Sequence, residues 1–583
     1  MKRLAAAVLV AGAIAAWSQQ APSEEDPEIQ ALQDELARAR QMSLPNLEPP
    51  YFVQYLMDHA TNFSVAASLG GVLSRRLEST REPEVRVRVG DYAFDNTNYT
   101  GSGFNFGARY DLERWPLDDG YDVLRRYLWL QTDSAYKSAV EAVSRKRAAL
   151  RNITQSEKLN DFAHAAPVTR IGTLSSLKID QEHWTERARA VSALFAKYPA
   201  VKNSSVELES SAGGFTMVNS EGTAVREPES VSFLRIRALA QAPDGMSARD
   251  AVTFHAVDPM YLPGELETDR AVKALAENVV ALAKAPRGED YSGPVLFEGT
   301  AGAQIFAEVL GRSFALTRRP VSEGGRGGAS QPSELEGRIG ARVLPEIFDV
   351  VDDPTQTEWR GRPLFGHYNV DREGVVPGPL RLVEKGVLKG YLLTRQPVRG
   401  FDGSNGRARM PGSYGAASAS ISNLFVRAAE TVPVAELKKK LLELCAARGK
   451  PFGIIVRKMD YPSSASFEEA RRLLQTAQGG RPISLPLLVY KVFADGHEEM
   501  VRGLRFRGMN VRSLKDILAA GDDSAVFEFM DNSAPFALIG GSGFTAEAAV
   551  IAPSILIDDL ELHPLEDELP KLPVVSAPDL TSK

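Results

Sequence analysis

The sequence predicts an α+β protein, an N-terminal α/β domain followed by a β-rich C-terminal domain, and three patterns predict it. Apolar and polar residues alternate with period two through PEVRVRVGDYAFDNT and again from Ser205 through Gln241, which marks half-buried strands. Residues 127–149, 182–198 and 269–284 repeat their apolar side chains at helical spacing instead. From Arg338 onward, strand-like runs such as RLVEKGVLKGYLL, GIIVRKMD and LPLLVYKVFADGHEEMV are separated by glycine turns.

Taken in order, residues 1–18 form a signal-peptide pattern: Lys2 and Arg3, an apolar run from Leu4 to Trp17, then small residues at Ala16 and Ser18. The expectation is an exported protein of the periplasm or extracellular space, with an uncleaved anchor as the alternative. Residues 19–48 form a leader whose stretch 24–42 is an amphipathic helix. The N-terminal α/β domain covers 49–240: a helix-like start at Pro49 gives way to strands, and Asn219 to Gly222 make a hairpin turn. A central segment, 241–335, holds the helix 269–284, a short apolar strand at 292–297, a helix at 303–310 and a Gly/Ser-rich loop at 322–333. Residues 336–566 are the β-rich domain, with Lys385-Gly386 and Asp495-Gly496 as hairpin turns, and 567–583 a Pro-rich, frayed tail.

Charge excludes one class of partner. Lys and Arg number 68 against 75 Asp and Glu, spread along the chain, so no basic stripe exists to neutralise nucleic-acid phosphates. With one cysteine, Cys445, neither a disulfide framework nor a multi-cysteine zinc site is possible. Leu437, Leu441, Leu444 and Cys445 share a helical face that Gly449 terminates, so the thiol reads as a small core residue.

The seven histidines are scattered. His497-Glu498-Glu499 begins a strand, where neighbouring side chains alternate faces, and no second histidine follows on a helix. His367 with Asp371 and Glu373 is the best remaining metal candidate, beside the plainer reading of a polar turn. The stretch 403–412 is too rich in Gly and Asn for a regular element and reads as a loop whose Arg407 and Arg409 contact a peptide carboxylate or are simply solvated. Gly540-Gly541-Ser542-Gly543 lacks the strand-to-helix context of a phosphate loop.

Four segments in order, NVDREGVVPGPLRLVEKGVLKGYLL, GSNGRARMPG, ISNLFV and EEMVRGLRFRGMNVRSLKDILAAGDD, resemble the TldD/PmbA metallopeptidase family; RVRVGDYAFDNTNY and LWLQTDSAYKSAVEAVSRKRA are similar to its exported branch. The resemblance covers roughly residues 49–564. It implies a TldD/PmbA-type C-terminal domain and, in active members, a His-Glu-x-x-x-His helix whose histidines bind zinc and whose glutamate activates the metal-bound water. The matching segment here is VLFEGTAGAQIFAEVLGR, which places Ala307 and Arg312 at the histidine positions and keeps Glu308, read here as a solvated helix glutamate or a retained base. Neither alanine nor a protonated guanidinium is a metal ligand. No cofactor is therefore expected, and no catalytic residue. The resemblance implies a non-catalytic, PmbA-like subunit that pairs with a zinc-bearing relative, or with itself, in proteolysis of unfolded peptides. Two alternatives stay open: a metallopeptidase with an unconventional site built from Glu308 and His367, and a stand-alone envelope scaffold that binds peptides.

Overall fold

The computed structural model describes residues 26–100, 115–118, 120–151, 158–322, 333–412, 415–461, 483–532 and 546–565. The expected signal peptide, the Gly/Ser-rich loop, the glycine run at 540–543 and the C-terminal tail lie outside the described residues, save the edges of the loop. Among the described residues no helix is long and apolar enough to cross a membrane.

The chain first builds a six-stranded sheet. Strands Pro50–Ser68 and Gly71–Val89 form a long antiparallel hairpin, and Asn203–Asn219 pairs with the other edge of the first of them. Ala224–Gln241 follows antiparallel, then Ser247–Ala256, with Thr169–Ile171 as a short parallel addition. The hairpin turns fall where glycine allows positive φ, at Gly70 (φ 84°) and Gly222 (φ 101°). Asn219 Oδ1 accepts the N–H groups of Glu221 and Thr223 and so fixes the second turn.

The helix-like start at Pro49 is a strand from Pro50 onward. The reason is burial on both faces: Val53, Tyr55 and Met57 pack under helices while Leu56 packs against Val370 and Phe215, so the run loses the alternation of a half-buried strand. One face of this sheet carries four helices. Pro27–Ala39, N-capped by Asp26, and Tyr121–Leu150 cover Val53, Tyr55, Val87 and Val89. Gln181–Ala193 and Glu265–Lys284 cover Phe63, Val65, Val206, Leu208, Leu234 and Ile236.

The second sheet has 11 strands, and Ala546–Pro564 is its spine. Tyr291–Phe297 lies beside that strand, antiparallel to it and parallel to Phe452–Met459. Its side chains Val295, Leu296 and Phe297 are fully buried, as the uninterrupted apolar run requires. Residues 241–335 thus divide between the sheets: Ser247–Ala256 and Glu265–Lys284 belong to the first, Tyr291–Phe297 and the helix after it to the second. Helix Val434–Ala447 buries Leu437, Leu441 and Cys445 and ends at Gly449 (φ 64°), where the Lys450 N–H donates to Cys445 O. The stretch 403–412 is not loop throughout, because Ala408–Pro411 pairs with Ala417–Ala419.

The helix-free face of the first sheet turns toward the second. Arg372 pairs with Asp58, Asn369 Nδ2 donates to Glu227 at 2.9 Å, and the His255 and Phe365 rings lie 5.0 Å apart. Arg249 pairs with Asp460 across the same boundary. Arg395, fully buried, donates to Ala163 O and pairs with Glu221, tying the hairpin turn of the first sheet to the second.

Candidate functional site

The segment after Tyr291–Phe297 is held by close packing. A Cβ at Gly302 would meet Pro553 O at 2.6 Å, so only glycine lets this helix lie on the spine strand. The helix begins as an α-turn, Thr300–Ile305, widens into a π-turn, Phe306–Leu310, and tightens into a 3-10 turn, Gly311–Phe314. The Gly311 N–H donates to Phe306 O, five residues back. That spacing matters here. In a regular α-helix positions i and i+5 point about 140° apart, whereas i→i+5 hydrogen bonding stacks them on one side. Residues 307 and 312 stand in that relation.

Ala307 is fully buried in the core beside Phe306 and Leu310. Arg312 places Nη2 2.7 Å from Asp531 Oδ1, and the other oxygen of Asp531 accepts from Ser420 Oγ at 2.9 Å. Glu308 is not solvated: it is 4% exposed, with Gln304 Nε2 donating to Oε1 at 2.7 Å and the Ser484 N–H donating to Oε2 at 2.7 Å. Burial pushes its carboxyl up to about 7, against the two donors that favour its ionised form. Gln304 also donates to Asp460 O, which fixes the glutamate to the chain leading into Tyr461.

The other expected site residues are spent on structure. His367 Nδ1 lies 2.6 Å from Pro354 O. Asp371 is a turn residue whose Oδ1 accepts the N–H groups of Glu373 and Val375 and whose Oδ2 accepts that of Ala408; Glu373 accepts from the Arg395 N–H at 2.7 Å. These three do not converge on a common point, and among the described residues no group of three or more His, Cys, Asp and Glu is placed to hold a metal ion.

Arg407 does not fit the expectation of a peptide contact or of a solvated loop residue. It is fully buried, with Nε 2.6 Å from Asp352 Oδ2 and its terminal nitrogens donating to Asn405 O, Gly378 O and Asp352 O. Arg409 is 9% exposed; it donates to Ile421 O, pairs with Glu547 and lies over the Tyr368 ring at 4.5 Å. Both are structural clamps of the strand pair Ala408–Pro411 and Ala417–Ala419. Glu498 of the His497-Glu498-Glu499 run pairs with Arg457 and Lys438 on the sheet surface.

The sequence model of the PmbA/TldA metallopeptidase C-terminal domain matches residues 290–449, which contain this helix and the clamp. Over nine-tenths of the chain the fold is also that of two solved structures: a Thermotoga maritima protein described as a modulator of a DNA gyrase, and TldE from Thermococcus kodakarensis. The first superposes with a TM-score of 0.56 at 15% identity, covering 91% of this chain and 99% of its own. The second gives 0.54 at 12% identity, with the same shares. Residues 290–449 thus carry the C-terminal domain of the TldD/PmbA family. It is also 37% identical over 78 residues to a metalloprotease of Archaeoglobus fulgidus, a stretch that spans 13% of this chain and 17% of that relative.

Within the TldD/PmbA frame the test of a zinc site is direct. The π-turn that would bring two ligands together is present, but one position holds a core methyl group and the other a guanidinium already paired with Asp531. These residues do not fit zinc. Sequence reasoning missed Gln304, Ser484 and Asp531. Gln304 had a signal, since it stands four residues before Glu308 on one helix. Ser484, just before strand Pro486–Phe493, and Asp531, at the end of strand Ile517–Asp531, arrive from far along the chain and had none.

Proposed function

We propose that this chain is a non-catalytic member of the TldD/PmbA family that binds extended peptide between its two sheets and serves proteolysis through a zinc-bearing relative. The observation that carries the proposal is the pair Ala307, in the π-turn, and Arg312, in the 3-10 turn that follows it, with Arg312 paired to Asp531 at 2.7 Å. A cation entering there would meet a positive charge and no ligand. The helix around it is closely packed, with the glycine contact at Gly302 and the buried Glu308. Polar side chains of both sheets, among them Asp58, Arg372, Asn369 and Glu227, face one another across the boundary, which suits a peptide backbone better than an apolar ligand.

The test is co-expression with an intact His-Glu-x-x-x-His relative from the same genome, followed by size-exclusion chromatography and a casein-peptide cleavage assay. The proposal expects co-elution and a cleavage rate that neither chain shows alone. Separate elution at micromolar concentration with unchanged cleavage would leave a stand-alone peptide-binding scaffold as the better account. Export is part of the same proposal, on the strength of Lys2, Arg3 and the apolar run behind them. Mass spectrometry of the native protein should find an N-terminus near residue 18 and not Met1.

A further inference from the structure

Arg235 sits in the middle of strand Ala224–Gln241, directly across from Glu207 on one neighbouring strand and from Thr253 on the other. Strand alternation sorts its surroundings. Leu234 and Ile236 point into the helix-covered core, so Phe233 and Arg235, with Thr253 and His255 opposite them, share the face turned toward the second sheet. The Arg235 side chain is only 9% exposed.

Its guanidinium is unusual for a buried charge. Among the described residues no hydrogen bond engages it, and Nε is sealed from solvent without a partner. The nearest carboxylate, Glu207 Oε2, is 3.8 Å away, and that glutamate is already bonded to Arg237. What Arg235 does have is the Phe233 ring, 4.8 Å from its Cζ. Arg88, Arg395, Arg407, Arg409 and Arg502 are buried to a similar degree, yet each donates to carbonyl or carboxylate oxygens. Buried charges are ordinarily paired and hydrogen-bonded. Here only Nε is sealed without an acceptor, and the terminal nitrogens, with no hydrogen bond beyond the loose approach of Glu207, are left to meet a ligand.

The walls around it describe the rest of a ligand. His255 Nε2 lies 3.0 Å from Tyr461 Oη, and the His255 ring packs against Phe365 at 5.0 Å and Phe233 at 6.4 Å. Burial, reinforced by the charges of Arg235 and Arg362, holds the His255 imidazole far below its ordinary range, at about 3, so it is neutral and adds an aromatic wall and not a second cation. Burial likewise keeps the Tyr461 phenol protonated, so the hydroxyl that meets His255 is neutral too. Glu207 and Glu209 stand on the neighbouring strand of the same face, and Glu528 acts on Tyr461 from the second sheet. Two carboxyl groups beside one guanidinium disfavour a doubly charged phosphate more than a singly charged carboxylate, and the aromatic wall favours one with an apolar group attached.

We propose that Arg235, with the aromatic wall of Phe233, His255, Phe365 and Tyr461, is a subsite that receives a carboxylate of a bound peptide and packs the adjoining apolar side chain. The subsite rests on the peptide-binding reading above and adds to it the end of the peptide that is recognised. The planar fork of the guanidinium matches a carboxylate through two parallel N–H donors, and the enclosed setting strengthens both.

The test uses the full-length protein and three fluorescently labelled, unstructured Ala/Ser-rich peptides: one ending in Leu as the free acid, the same peptide as the C-terminal amide, and an amidated version with one internal Asp. Fluorescence anisotropy should show the acid binding about tenfold or more tighter than the amide. Arg235→Gln should abolish that preference, Arg235→Lys should restore part of it, and the thermal midpoints of both variants should stay close to the parent's. Equal binding of acid and amide by the parent protein overturns the subsite while leaving peptide binding intact, as does an undiminished preference in Arg235→Gln. Failure of all three peptides to bind removes the peptide-binding reading and the subsite with it. Tight binding of the internal-Asp peptide that is lost in Arg235→Gln supports the carboxylate chemistry and assigns it to an acidic side chain instead of a terminus.

Discussion

Arg407 and Arg235 are both more than nine-tenths buried, the first just before strand Ala408–Pro411 and the second within the first sheet, and they differ in what their nitrogens touch. Arg407 spends its donors on Asp352, Asn405 and Gly378, whereas Arg235 has a phenyl ring and a carboxylate 3.8 Å away. Burial alone therefore does not separate a clamp from a binding group. Hydrogen-bond satisfaction is the property that distinguishes them, and the sequence, which left Arg407 as a peptide contact or a solvated loop residue and Arg235 as one of many strand residues, did not show it.

The comparison breaks most visibly at Arg407. Replacing it with alanine leaves Asp352 buried and unpaired, and urea denaturation should record a loss of about 3–5 kcal/mol, the usual result of removing one partner of a buried pair. A loss under about 1 kcal/mol would mean that the clamp is not closed in solution.

The metal-position helix gives the next largest effect, read through pH. The folded-state pKa of Glu308, about 7, lies above the ordinary 4.5, so between those values the folded chain holds a proton that the unfolded chain has released. Stability from this group is full below about pH 4.5, falls as pH rises toward 7 and is constant above, a total on the order of 3 kcal/mol. Glu308→Gln should flatten that part of the denaturation profile measured between pH 5 and 8. An unchanged slope would place the carboxyl in water.

Arg312 ranks third. Arg312→Gln removes a charge-assisted bond to Asp531 at 2.7 Å and should cost about 1.5–3 kcal/mol by the same denaturation measurement. Arg235→Gln completes the series. It deletes a buried charge that lacks a close partner, so stability should move by less than about 1 kcal/mol in either direction. A cost as large as that of Arg407→Ala would make Arg235 a second clamp and weaken the case for an open donor set.

Much of the fold was legible because it depends on local pattern. The hairpin at Asn219 to Gly222 has its turn residues in place, and the apolar run at Val295 to Phe297 is a strand buried on both faces. The start at Pro50 misled for the same physical reason, since burial on both faces erases alternation. The site was legible only as far as residue identity goes. Ala307 and Arg312 stand at the ligand positions by identity alone, but the π-turn that runs between them is a feature of the backbone that no spacing rule states. Likewise Glu308 reads as a surface helix residue until Ser484 and Gln304 close over it. Arg235 carried no signal at all, because lacking a hydrogen bond is a fact about every other residue's position.

We propose that the helix at 307–312 carries internal pairing where a metal site would need ligands. The most direct test of this is the zinc content of the purified full-length protein, by elemental mass spectrometry after dialysis against micromolar zinc, with a casein-peptide cleavage assay on the same sample. The account predicts zinc well below one ion per chain and no cleavage that a chelator removes. One zinc per chain, with chelator-sensitive cleavage lost in Glu308→Ala, would contradict it.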